Sequence, residues 1–229
     1  MTRKRQSTAK RLVAATLNGV AATFLWLGPA MAEPGLDWSA AEILPAELRV
    51  ALGDVMRLGE VGLPERHAEG LIDRIEGALG LLPWLLLKAG DDKGAEALGA
   101  WSGHPLDTAP DRVALSELLS ALSQDYPLAL AERTGHTPPA AAIAEARAIH
   151  EAYCMGCHDG FADGDPDERL PSRDLRLMAR AEPDDIFLAR LVNGVKGDET
   201  IAFINPLTER QVLALWTYYR TSSAGGTDE

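Results

Sequence analysis

Cys154, Met155, Gly156, Cys157 and His158 set two thiols three positions apart and place an imidazole directly after the second. Thiols at this spacing reach the two vinyl groups of one porphyrin and form thioethers with them. The histidine that follows then lies under the iron and supplies a ring nitrogen as proximal ligand. Cys154 and Cys157 are the only cysteines in the 229-residue chain, so no other thiol competes for that role. Two other chemistries use similar residues. A redox-active dithiol needs a strand-to-helix setting and gives His158 no task. A zinc site would be left incomplete by two thiols and one imidazole. In this sequence a helical segment precedes the motif and a Gly/Asp-rich loop follows it, which favours one covalent haem c held by Cys154, Cys157 and His158.

The N-terminus supplies the context that such an attachment requires. Arg3, Lys4, Arg5, Lys10 and Arg11 precede an apolar run from Leu12 to Leu27, which ends at Pro29-Ala30-Met31-Ala32. This is the three-part layout of a secretory signal peptide, with a small-x-small cleavage site and a mature chain beginning near Glu33. The run is shorter than the ~20 residues that span a bilayer. Residues 1–32 are therefore expected to be removed, leaving a periplasmic protein with no integral membrane span. Five of the 22 basic residues and none of the 34 acidic ones lie in this leader, so the remainder carries a formal charge of −17. Such a field disfavours nucleic acid and anionic membranes as partners and suits a redox protein with a basic docking patch.

The elements that must position the motif read as helices throughout. Apolar residues recur at helical spacing in 45–58, in 64–79 and in an almost wholly apolar stretch at 81–87. Segments 91–101 and 111–132 follow, the latter broken or kinked at Pro127. Sparse β-branched residues and the absence of alternating runs exclude a sheet, so the expected class is all-α. The segment Thr134-Gly135-His136-Thr137-Pro138-Pro139 is the clearest punctuation. It divides a helical domain at 33–135 from the motif-bearing domain at 136–222, with a polar tail at 223–229. In the second part, Pro138 and Pro139 open a helix that delivers the chain to Cys154. A solvated acidic loop runs through Asp163, Asp165, Asp167 and Glu168 and lacks the ligand spacing of a calcium loop. A helix begins at Pro183-Asp184-Asp185 and ends at Asn193-Gly194. The last starts at Thr208 with Gln211 as its capping-box partner.

Residues 138–222 resemble a class I cytochrome c domain. The likeness rests on the helix before Cys154-Met155-Gly156-Cys157-His158, on Leu170-Pro171, on Leu191-Val192-Asn193-Gly194 and on the aromatic final helix Leu215-Trp216-Thr217-Tyr218-Tyr219. The resemblance implies that the first and last helices cross beside the haem, with Ala146 against Trp216 or Tyr219. It also makes Pro171 the candidate carbonyl partner of the proximal histidine's second N–H. Residues 33–135 resemble no family.

The distal side departs from that pattern. Thr200 stands where the family's methionine ligand belongs, and no methionine follows Met178. Met178 is therefore the candidate distal ligand, beside its ordinary reading as a core residue. Lys196 lies close to the expected distal loop but reads by default as a solvated surface lysine. His150, one turn before Cys154 on the helix leading to the proximal side, reads as a helix-packing or surface histidine. His67, His104, His136 and Met56 are candidates only where the first domain covers the distal face, and an open position is the remaining option. Two functions follow. With two strong axial ligands the expected protein is a one-electron carrier and not an enzyme. With an open distal position it is a gas sensor or a haem protein reacting with peroxide or another small ligand.

Overall fold

The computed structural model describes residues 40–160, 164–194 and 207–222, with side chains from Ile43 onward. The expected signal segment, Asp163 of the acidic loop, Lys196, Thr200 and the tail at 223–229 lie outside the described residues. Every element among the described residues is a helix, as the periodicity predicts. In chain order they are α1 (Ala40–Leu58), α2 (Glu65–Ala89), α3 (Asp92–Gly99), α4 (Ala109–Asp125), a 3-10 turn (Ala129–Arg133), α5 (Ala140–Ile149), a π-helical turn (His150–Cys154), α6 (Met155–His158), α7 (Leu175–Ala181), α8 (Asp184–Asn193) and α9 (Glu209–Thr221). No described helix is long and apolar enough to cross a membrane.

Local signals fix most ends. Asp91 caps α3 by accepting from the Gly94 amide, and Thr108 caps α4. Pro127 ends the α4 segment, and the chain resumes as the short 3-10 turn. At α9 both halves of the Thr208–Gln211 capping box form. Two boundaries differ from expectation. α1 begins at Ala40, five residues before Pro45, which sits inside the helix and removes one backbone bond near its start. The segments 64–79 and 81–87 form one helix, α2, that runs straight through Pro83. Leu71, Ile75, Leu79, Leu82 and Leu86 stay in phase across the proline and are all buried. Continuing that apolar stripe into the core outweighs the lost hydrogen bond.

α1 is the element on which the rest is assembled. One face joins α2 and α4 in a core holding Leu48, Val55, Ile75, Leu82, Leu115 and Leu119. The other places Ala46 and Val50 with Leu188, Ala189 and Val192 of α8 and Val212 of α9. The chain therefore shares a core across the Thr134–Pro139 punctuation, and the described residues form one compact unit. The crossing with α8 is tight at Gly53, where a Cβ would sit 2.6 Å from Ile186 Cγ2 and 2.9 Å from Arg190 Nη2. A third core packs α5 on α9 through Ala142, Ala146, Phe187, Leu215 and Tyr219.

Candidate functional site

α5 leads without interruption into the motif, but its last turn widens. Across His150–Cys154 the helix takes a π turn, and the Met155 amide reaches back to the His150 carbonyl. Such turns occur mostly as single insertions in α-helices, often at functional sites. Normal α geometry resumes for Met155–His158. Neither cysteine is in a disulfide; Cys154 is half-buried and Cys157 exposed. Burial pushes the Cys154 thiol above its ordinary value, and a side-chain hydrogen bond with Tyr219 only partly opposes this. A nucleophilic redox dithiol needs the reverse shift.

His158 is oriented by backbone. Its Nδ1–H donates to the Arg173 carbonyl at 2.6 Å, which leaves Nε2 as the nitrogen with a free lone pair. The expected carbonyl was that of Pro171; the observed one lies two residues further on. Pro171 is buried with its ring against Gly164, where a Cβ would overlap it. Asp174, only 7% exposed, then caps α7 by accepting from the amides of Arg176 and Leu177. The carbonyl immediately before that cap is the one turned toward the imidazole.

The loop that carries Arg173 is held by α2. The buried His67 donates from Nε2 to the Asp165 carbonyl at 2.9 Å. Arg169 pairs with Asp73 at 2.6 Å. At Gly70 the helix meets the Arg169 backbone so closely that a Cβ would overlap its carbonyl. His67 is thereby a tether for the loop, its Nε2–H committed to the Asp165 carbonyl. Arg173 itself reaches Glu182 at 3.4 Å, and Glu182 accepts from Arg190 at 2.7 Å. Arg190 in turn donates to Asp54 of α1 at 2.9 Å. A line of alternating charges thus joins the proximal loop to the first helix.

His150 is the site residue that sequence reasoning undervalued. It is 1% exposed and lies between Tyr219 and a polar group on its other side. Nδ1 is 3.1 Å from the Tyr219 hydroxyl; Nε2 is 3.1 Å from Asp159 Oδ1 and 3.2 Å from Arg176 Nη2. Either tautomer is satisfied. With the proton on Nε2, the ring donates to Asp159 and accepts from Tyr219. With it on Nδ1, the ring donates to Tyr219 and accepts from Arg176. Arg176 also donates to Asp159 at 2.9 Å and to the Tyr218 hydroxyl at 2.9 Å. Burial would raise the Asp159 carboxyl, but the hydrogen bonds from His150 and Arg176 outweigh it and hold the group below its usual range. Since Tyr219 also reaches Cys154, the network begins at the first thiol. Only the tyrosine pair hinted at it in the sequence, because its members come from four separate elements. Replacing His150 with phenylalanine keeps the ring packing and removes both nitrogens. The expected loss is about 1–3 kcal/mol, read as a lower urea midpoint with unchanged slope.

The other candidates are placed as follows. Met178 packs on the apolar cluster of Ala146, Phe187, Leu215 and Tyr219, which gives it a core role. Met56 is exposed, His104 faces Asp111 at the surface, and His136 is exposed beside the Arg133 carbonyl. No group of three or more His, Cys, Asp or Glu side chains among the described residues is arranged to hold a metal ion. Comparison with protein families, with curated proteins and with solved structures finds no match to this chain.

Proposed function

We propose that the exported chain carries one covalent haem c at Cys154 and Cys157, with His158 as its proximal ligand, and passes single electrons between periplasmic partners. The observation that carries this reading is the imidazole held through Nδ1 by a backbone carbonyl, directly after two thiols free of any disulfide. That donor set fits the group. The two sulfurs form the covalent links, Nε2 of His158 is the ligating atom, and the carbonyl bond raises its basicity. Bound in this way, the iron supplies a reversible one-electron couple whose potential follows its axial ligands, burial and hydrogen bonding.

The remaining residues keep that setting fixed. The Asp174 cap and the α2 contacts at His67 and Gly70 hold the segment that presents the Arg173 carbonyl. The network of His150, Asp159, Arg176 and Tyr219 does the same for the approach to Cys154. In this reading residues 33–135 serve to brace the proximal loop, and the exposed Cys157 side is the edge offered to a partner. The charge of −17 after residue 32 steers basic surfaces toward it.

The sequence places Thr200, and no methionine, in the distal stretch, which sustains the second reading of an open position that binds gases or peroxide. Absorption spectra of the oxidised and reduced protein, with carbon monoxide added to the reduced form, separate the two. Sharp reduced bands indifferent to carbon monoxide are expected for the carrier. A reduced spectrum that carbon monoxide shifts would replace the carrier with the ligand-binding reading.

A further inference from the structure

Arg49 and Arg57 lie two turns apart on α1, are both buried, and are treated very differently by their surroundings. Arg49 is 7% exposed and fully served. It donates to Asp185 at 3.0 Å and to the carbonyls of Pro45, Ser123 and Tyr126 at 2.9–3.0 Å. Arg57 is 9% exposed, and among the described residues its buried Nε has no acceptor. Its charged neighbours make this worse. Arg74, Arg173 and Arg190 all repel it, while the exposed Glu60 favours its charge.

The two acids nearby, the buried Asp54 and the half-buried Glu182, are already committed. Asp54 is taken by Arg74 through both oxygens and by Arg190. Glu182 is taken by Arg173 and Arg190. Four guanidiniums therefore face two carboxylates that are already engaged, and Arg57 is the one left over. Burial, with the repulsion from its neighbours, lowers the Arg57 guanidinium to about 10, so it stays charged at neutral pH. A position in the last turn of α1 favours a cation at the surface, but does nothing for the buried Nε that has no acceptor. Buried polar groups are almost always hydrogen-bonded, and a planar guanidinium backed by further cations matches an oxyanion in both charge and shape.

We propose that Arg57, with Arg173 beside it, is an oxyanion-binding site that takes a carboxylate or phosphate group. The ligand chemistry has two sources. It is either a free anion, or a propionate of the haem, the latter resting on the function proposed above. The site lies where the first helix meets the loop that holds His158, so occupancy would tie those two parts together.

The test is thermal unfolding of the full exported protein in inorganic phosphate and in chloride at matched ionic strength, for the wild type and for Arg57→Met. Phosphate is expected to raise the wild-type midpoint by about 2–4 °C and to leave Arg57→Met unmoved. That result assigns the site to a free anion. A wild type indifferent to phosphate, with Arg57→Met lowering the midpoint of haem-loaded protein, assigns it to the propionate. An Arg57→Met midpoint that is equal or higher in both salts, with the same phosphate shift as the wild type, overturns the proposal. Arg57→Lys serves if the methionine variant does not fold. It keeps the charge but loses the planar fork, and should lose most of the phosphate shift; a lysine variant with the full shift overturns the site. Haem content is read separately by mass, so a chain without haem refutes the propionate source and leaves the phosphate comparison intact.

Discussion

Asp54→Ala is expected to destabilise the folded chain by about 3–5 kcal/mol, the range for removing one partner of a buried ion pair. Asp54 is 1% exposed. Its Oδ2 accepts from Arg74 Nε at 2.6 Å, and Oδ1 accepts from Arg74 Nη2 at 2.6 Å and from Arg190 Nη1 at 2.9 Å. Alanine would strip two guanidiniums of their shared acceptor inside a cluster that already holds Arg57 and Arg173. Asp54→Asn retains the shape and one accepting oxygen but not the charge, so it should fall between wild type and alanine. Guanidinium chloride midpoints at neutral pH check both.

The same residue gives a pH dependence of definite sign. Burial alone would raise the Asp54 carboxyl, but Arg74 and Arg190 more than offset it, and the group titrates below its ordinary value of 3.8. A lowered native value means the unfolded chain binds the proton more readily. The stabilisation is therefore fully present above the ordinary value and is lost as pH falls through the lower native one. The difference in stability between wild type and Asp54→Asn should be flat from about pH 5 upward and should shrink at more acid pH. A difference that grew on acidification would contradict the pairing.

The second large effect concerns the cysteines. Cys154→Ala with Cys157→Ala is expected to abolish covalent haem completely, while each single variant keeps at most one thioether. The cause is chemical, since no other thiol exists in the chain. His158→Ala should differ from the double variant. It leaves both sulfurs able to react but removes the proposed ligand, whose Nδ1 is anchored by Arg173, so the product should be coloured yet spectrally altered. Comparing the two variants separates attachment from ligation. If the double cysteine variant retained haem through washing with denaturant, the assigned links would be wrong.

What the sequence disclosed follows from how far each signal reaches. The break at Pro127 and the capping box at Thr208 depend on a few neighbours and could be read directly. The motif at 154–158 is likewise contiguous. The expected break between 64–79 and 81–87 did not form, because each segment was read without the stripe from Leu71 to Leu86 that the core rewards. Pairings such as Arg49 with Asp185 and Asp54 with Arg190 span 136 residues each and leave no local trace. For that reason the role of α1 in both halves was invisible. Pro171 and Arg173 differ by only two residues, yet the choice between their carbonyls depends on a ring packed on Gly164 and a cap at Asp174. His150 read as an ordinary helix residue because its partners come from α7, α9 and the turn after α6.

The most direct test of the central claim is the intact mass, under denaturing conditions, of the chain matured in the periplasm, taken before and after treatment with a thiol-alkylating reagent. The account predicts the polypeptide following residue 32 plus one haem, with no thiol left to alkylate. A bare polypeptide bearing two alkylatable thiols, or one lighter by two hydrogens through a disulfide between Cys154 and Cys157, would contradict it.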